Sequence, residues 1–189
     1  MKTLFPSIGV CKVASRTSAS ESKFVVQMRQ FFPEVKFVEC RSDYRSAVLD
    51  ADIIVSAISG QERLLQSEWI KGGAFYSHVG GLEDDFSVPL MASKIVCDSW
   101  AMVKHRTQTI SRMYHQGILR DDNIYGDLYE VVCGKKSGRE NDDEFIYYNG
   151  VGLAYVDVAF AIWVYERCRA KNLGVDVAFA SSPFYAARK

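Results

Sequence analysis

Ala51-Asp52-Ile53-Ile54-Val55-Ser56-Ala57-Ile58-Ser59 is the stretch that decides the fold class. From Asp52 to Ile58 it is almost wholly apolar, the pattern of a strand covered on both faces, as in parallel sheets. Working back toward the N-terminus, residues 35–40 and 8–14 read as two further strands. Between them, residues 18–32 read as a helix with Phe24, Val25, Met28 and Phe32 on one face. Ser18 is expected to cap that helix, Glu21 to complete a capping box, and Pro33 to end it. Residues 43–49 form a short helix. Working forward, residues 74–79 and 94–97 supply two more strands. Strands alternating with helices predict an α/β fold with a parallel sheet and crossover connections.

Ligands in such sheets bind beyond the carboxyl ends of the strands. That rule directs attention to Ser15-Arg16-Thr17, to Ile58-Ser59-Gly60, to residues 78–85 and to Asp98-Ser99. The second half changes character. Residues 100–117 read as one helix closed by Gly117, and residues 124–133 as another helical stretch. A polar loop at 134–143 follows. Residues 156–170 form a strong helix, with Val156, Ala159, Phe160, Trp163 and Val164 at helical spacing and Gly174 as the stop. The tail, 180–189, has no clear pattern and is expected to be loose.

Composition narrows the function classes. The chain has 189 residues, 48% apolar and 24% charged, which is ordinary for a globular protein. Its 23 basic and 23 acidic residues cancel. No basic face is forced, so no nucleic acid is expected as partner. A net charge of zero also gives little protection against self-association. Met1-Lys2-Thr3-Leu4-Phe5-Pro6 lacks the apolar core and cleavage site of a secretory signal. The apolar stretches fall far short of the ~20 residues of a membrane span. A cytoplasmic protein with no membrane partner is therefore expected. Cys11, Cys40, Cys97, Cys133 and Cys168 are scattered, with no CxxC pair, so neither a metal site nor a disulfide framework is indicated. The first three sit in apolar runs and are expected to be reduced core residues.

Four segments, in order and spacing, carry a resemblance. They are residues 51–59; Trp69-Ile70-Lys71-Gly72-Gly73-Ala74 leading to His78-Val79-Gly80-Gly81; Gly134-Lys135-Lys136 with Gly138-Arg139 and Asp142-Asp143-Glu144; and Gly150-Val151-Gly152-Leu153-Ala154 with Asp157 and Tyr165-Glu166-Arg167. From about residue 8 to residue 177 this set resembles the ornithine cyclodeaminase/mu-crystallin family. The resemblance implies an incomplete Rossmann-type parallel sheet, with C-terminal helices that belong to a second, substrate and dimerisation domain. Residues 1–115 would be the partial NAD(P)-binding domain and 116–189 the helical part of the second. It implies an NAD(P)-dependent amino-acid or imino-acid oxidoreductase or cyclodeaminase when complete. The alternatives are a non-catalytic NADPH or small-ligand-binding protein and a truncated inactive fragment.

The chain departs from the family pattern in two places. No GxGxxG-like turn occurs, and residues 8–17 match the second strand of the fold rather than the first. The chain is therefore expected to start late, leaving two strands beside a gap. A homo-oligomer or a complementing N-terminal chain is the expected partner, besides a small amino or imino acid. The second departure is Leu82, which stands where cyclodeaminases carry an aspartate directly after the Gly-Gly pair. Asp84 or Asp85, with Asp84 singled out, is then the candidate for the proton-exchanging carboxylate at the mouth of the site; the alternative is that no acid has this role here.

The remaining candidates come from the same resemblance. Ser15, Arg16 and Thr17 close the second strand, where an acid would bind the ribose hydroxyls of NAD. A serine followed by an arginine favours NADP, whose 2′-phosphate suits a guanidinium. Ile58, Ser59, Ser77, His78 and Val79 are expected along the nicotinamide ribose, Gly150 against the cofactor and Val151 against the substrate. The plainer alternatives are a solvated turn at 15–17, a histidine packed at a strand end and an exposed acidic turn at 82–85. Lys104-His105-Arg106-Thr107-Gln108 reads as helical surface charge or as cleft lining.

Overall fold

The computed structural model describes residues 5–177; the first four residues and residues 178–189, which include the tail expected to be loose, lie outside the described residues. In chain order the elements are β1 (Val10–Val13), α1 (Ser18–Phe31), β2 (Lys36–Glu39), α2 (Tyr44–Val48), β3 (Ile53–Ser56), β4 (Gln61–Leu65), β5 (Phe75–His78), β6 (Leu82–Asp84), α3 (Ser87–Leu90), β7 (Lys94–Cys97), α4 (Trp100–Val103), α5 (Thr109–His115), β8 (Gly126–Asp127), α6 (Leu128–Val132), β9 (Ile146–Asn149) and α7 (Ala154–Ala170). Every strand pairing is parallel, as the apolar, double-sided character of β3 requires. The main sheet runs β3-β5-β9-β7-β8, and β1-β2 and β4-β6 form two ribbons. Among the described residues β1 pairs only with β2 and β3 only with β5, so pairing is interrupted between β1 and β3.

One face of the main sheet is the core. Tyr76, Tyr147, Ile54, Ile95 and Cys97 project from it against Val88, Val103, Ile110 and Met113 of α3, α4 and α5. Tyr76 and Tyr147 are fully buried and meet edge to face, with centroids 5.2 Å apart. Burial of side chains of this size contributes on the order of 2–3 kcal/mol each. A separate small cluster, Val25, Val35 and Phe37, glues α1 to the β1-β2 ribbon. Of the three cysteines expected in the core, Cys97 is buried, while Cys11 and Cys40 are half-buried.

The chain divides into two compact units after Val151, so β8, α6 and β9 belong with the sheet. Within the second unit, α7 carries Val156, Val158, Phe160, Ile162 and Val164 round its whole circumference. A helix apolar on all sides is the kind that larger assemblies bury.

Local expectations needed correcting in five places. Thr17, not Ser18, caps α1, its hydroxyl accepting from the Ser20 N–H. Glu21 makes no capping box; it turns inward and is fully buried. The helix expected over 100–117 breaks into α4 and α5, because Gln108 takes an extended backbone and sends its amide to the sheet edge. The stretch 124–133 contains β8 before α6, and β6 occupies the segment read as an exposed acidic turn.

Candidate functional site

Ser56, His78, Asn149 and Cys97 are aligned in register as the last residues of β3, β5, β9 and β7. The turns that follow them therefore leave the sheet along one edge. They carry Ile58 and Ser59, Val79 and Gly80, Gly150 and Val151, and Asp98. Three side chains tie the turns together. Glu83, on β6, accepts the Ile58 N–H with one oxygen and the Ser56 hydroxyl with the other. Gln108 donates to the carbonyls of Gly80 at 2.8 Å and Gly150 at 3.1 Å, and accepts from Asn149 at 2.8 Å. Asp98 accepts the Val151 N–H at 2.8 Å.

These ties explain the glycine pair. A Cβ on Gly80 would overlap the Glu83 carboxylate and come within 2.5 Å of the Ile58 carbonyl oxygen. One on Gly81 would sit 2.8 Å from the Gln61 amide and 3.2 Å from the Gly60 carbonyl oxygen. The two turns pack backbone against backbone, which only glycine allows.

His78 and Asp84 do not stand at a mouth. Both are fully buried. His78 Nε2 lies 2.9 Å from the Gly81 carbonyl, which accepts only, so Nε2 carries the hydrogen. Nδ1 then accepts from the Tyr147 hydroxyl at 2.5 Å. Asp84 accepts from Thr109 at 2.5 Å and comes within 3.3 Å of His78 Nδ1. Its second oxygen, and the Asn149 side-chain oxygen, are buried with no hydrogen-bond partner among the described residues. Burial pushes Asp84 up to about 7, against the Thr109 hydrogen bond that pulls it down. Burial also lowers His78, with Glu83 opposing. Ser77 points to the opposite face of the strand from His78, next in register to Val55 and Tyr148.

Ser15, Arg16 and Thr17 leave the end of β1 and sit on a different ribbon from the other candidates. Glu21 organises this end. Its carboxylate accepts the N–H groups of Ser15 at 2.9 Å and of Arg41 and Ser42, each at 2.7 Å. Burial alone would raise the Glu21 carboxyl; the Ser15, Ser42 and Arg41 donors outweigh it and hold it below its ordinary value. Arg41 and Ser42 have φ of 53° and 64°, a left-handed backbone that costs non-glycine residues about 1–2 kcal/mol each. Sequence reasoning missed Tyr147, and it read Glu21 as part of a capping box, Glu83 as part of an exposed acidic turn and Gln108 as helical surface or cleft lining, not as the ties they are. Their partners lie far along the chain, and no local pattern marks them.

A cavity of about 350 Å³ opens elsewhere, lined among others by Phe75, Lys94, Leu128, Ile146 and Tyr148. Phe75, Lys94 and Ile146 are the first residues of their strands, so this cavity lies away from the carboxyl edge. Lys94 is held there by Glu140 at 2.6 Å and Glu144 at 3.1 Å. Among the described residues there is no cluster of metal-binding side chains and no helix long and apolar enough to cross a membrane.

Comparison with known proteins places this geometry. The model of the ornithine cyclodeaminase/mu-crystallin family matches residues 1–172. N-((2S)-2-amino-2-carboxyethyl)-L-glutamate dehydrogenase of Staphylococcus aureus is 26% identical over 165 residues, 87% of this chain and 49% of that protein. Alanine dehydrogenase of Archaeoglobus fulgidus is 30% identical over 133 residues, 68% of this chain and 41% of that protein. Among solved structures, Δ1-pyrroline-2-carboxylate reductase of Thermococcus litoralis, in complex with NADH and L-proline, superposes with a TM-score of 0.84 at 26% identity. It covers 89% of this chain and 53% of its own. An archaeal alanine dehydrogenase dimer with bound NAD gives the same TM-score and identity, over 95% and 55%. The chain thus spans about half the length of the relatives it matches.

Proposed function

Since the chain belongs to the ornithine cyclodeaminase/mu-crystallin family, we propose that it forms the nucleotide-binding part of an NAD(P)-dependent amino-acid or imino-acid oxidoreductase. The observation that carries this reading is the edge where the turns after β3, β5, β9 and β7 meet, tied by Glu83, Gln108 and Asp98. Two of its structural relatives hold NAD or NADH. When bound, a nicotinamide nucleotide supplies hydride exchange with the Cα–N bond of an amino or imino acid.

The residues fit the two ends of such a nucleotide. Ile58, Ser59, Val79 and Gly150 offer backbone groups for the nicotinamide ribose, Ser77 lines the same edge from its other face, and Val151 stands next to them for the substrate. Ser15, Arg16 and Thr17 suit the adenosine ribose, with Arg16 favouring NADP. Glycine-rich sequence for the pyrophosphate is not among the described residues. In this reading the interrupted pairing between β1 and β3 is completed by a further strand, from a complementing chain or within a homo-oligomer. His78 keeps the Gly81 turn in place, and Asp84 stores a proton beneath it.

A non-catalytic nucleotide-binding role is the second reading. It is favoured by the burial of Asp84 and by Leu82 at the acid position, which leave no solvent-facing carboxylate directly after the glycine pair. Fluorescence titration with NADPH and NADH, followed by a turnover screen with amino and keto acids, separates the two. Binding with turnover supports the enzyme, binding without turnover supports the second reading, and absence of binding by either nucleotide overturns both for this chain.

A further inference from the structure

We propose that Gln108 is a positioning residue for the nicotinamide end of the site, its amide holding the turns after β5 and β9 in the arrangement that receives the ring. The inference rests on the nucleotide-binding reading above and adds the side chain that shapes its reacting end. β5 and β9 are neighbours, with His78 opposite Asn149, and the Gly150 N–H donates to the His78 carbonyl at 3.0 Å. The two turns therefore leave the sheet side by side. Gln108 reaches them from the extended break between α4 and α5, and it is buried. Its NH₂ group donates to the Gly80 carbonyl at 2.8 Å and to the Gly150 carbonyl at 3.1 Å.

The orientation of this amide is fixed by its neighbours. Carbonyls only accept, so the nitrogen must face them, and the oxygen then takes the Asn149 NH₂ at 2.8 Å. Glu83 and Asp98 each hold the turn after one strand, through the Ile58 and Val151 N–H groups; Gln108 joins the turns after two. Glycine backbone is the freest of any residue, and Gly80 and Gly150 have no side chain with which to anchor themselves. The peptide between Gly150 and Val151 is pinned at its oxygen by Gln108 and at its N–H by Asp98. In the other turn, Gln108 holds the Gly80 carbonyl and His78 the Gly81 carbonyl. Removing the Gln108 NH₂ strips the donor from one carbonyl in each turn and frees both glycines to rotate. A turn that must be ordered on binding costs affinity that a preorganised one keeps. The adenosine end, at Ser15, Arg16 and Thr17, lies on the separate β1-β2 ribbon, so the effect of Gln108 is confined to the nicotinamide end.

The test is calorimetric titration of the full 189-residue chain with NADH against ADP-ribose and with NADPH against 2′-phospho-ADP-ribose. Within each pair the nicotinamide is what differs. Gln108→Met keeps the length of the side chain and removes both donors. It is expected to weaken the dinucleotides about tenfold, the size of a lost pair of neutral hydrogen bonds, and to leave the two ADP-ribose compounds unchanged. Gln108→Glu turns a carboxylate toward two carbonyls and should weaken the dinucleotides at least as much. A second measurement needs no variant: the side-chain amide resonance of Gln108 in the wild-type chain should shift with NADH or NADPH and not with the ADP-ribose compounds. Three results would overturn the inference and leave the nucleotide reading standing: an equal loss for both members of a pair, no loss for either, or an amide resonance that answers alike to both. A wild-type chain that binds none of the four compounds overturns the nucleotide reading and the inference with it.

Discussion

The Tyr147 hydroxyl stands 2.5 Å from Nδ1 of His78, and this bond sets where protons sit in the buried layer beneath the sheet edge. With Nε2–H committed to the Gly81 carbonyl, a second proton on His78 has only Asp84 or the Tyr147 oxygen to face. Burial disfavours charge on both His78 and Asp84. A neutral imidazole beside a protonated carboxyl meets both demands.

A pH dependence follows for Asp84. Its folded value of about 7 lies above the ordinary 3.8, so the folded chain holds a proton that the unfolded chain releases. Its contribution to stability is present at low pH and is lost as pH rises toward and through about 7. His78, lowered by burial, works in the opposite sense: the folded chain gains stability as pH rises toward the ordinary imidazole value. Asp84→Asn removes the first effect and keeps an acceptor for Thr109. Relative to wild type it should gain on the order of 3 kcal/mol between pH 4.5 and pH 8, at about 1.4 kcal/mol per tenfold change in acidity. Urea unfolding at the two pH values measures it; a gap between variant and wild type that does not change with pH would sink the assignment.

The packing of the two turns predicts a contrast between glycines. Gly80→Ala drives a methyl group into the Glu83 carboxylate and the Ile58 carbonyl, and Glu83 cannot withdraw without abandoning Ile58 and Ser56. Overpacking of this kind costs about 1–3 kcal/mol. Gly72→Ala meets nothing within 4 Å and should change stability by less than about 0.5 kcal/mol. Equal effects at the two positions in thermal unfolding would contradict the packing described.

What the sequence disclosed, and what it hid, divides by the range of the interactions. β3 was legible because Ile53-Ile54-Val55 is apolar on both faces, a local signature of a covered strand. β6 was not, because Leu82-Glu83-Asp84 has the composition of an acidic loop. Its acids are buried on the strength of Ser56, Ile58 and Thr109, each about 25 positions away. The break between α4 and α5 was hidden for the same reason: Gln108 leaves the helix for carbonyls 28 and 42 positions distant. Family resemblance located the sheet edge but not the side chains that hold it together.

Cysteine reactivity should follow burial. Cys133 is exposed, whereas Cys97 is buried among apolar groups that push its thiol up. A thiolate-selective disulfide reagent at pH 8 should label Cys133 first and Cys97 only in denaturant. Rapid labelling of Cys97 in the native chain would show that β7 is not covered as described.

Glu21 offers the sharpest test of the β1-β2 ribbon. Its folded carboxyl is held below its ordinary value by the Ser15, Ser42 and Arg41 N–H groups, in spite of burial. The stabilisation is therefore present above the unfolded value and is lost as pH falls through the folded one. In Glu21→Gln, one amide oxygen can still serve Ser15 and Ser42, but the NH₂ group faces the Arg41 N–H, donor against donor. Losing a charge-assisted bond and stranding a buried donor costs about 1.5–3 kcal/mol, and the positive φ of Arg41 and Ser42 is left unsupported. Glu21→Gln should therefore be less stable than wild type by that amount at pH 7, and the gap should close as pH is lowered below about 4. Chemical denaturation at pH 7 and pH 3 reads both values. An equal deficit at both would mean that Glu21 acts through its shape rather than its charge, and that the ribbon's turns are held by packing alone.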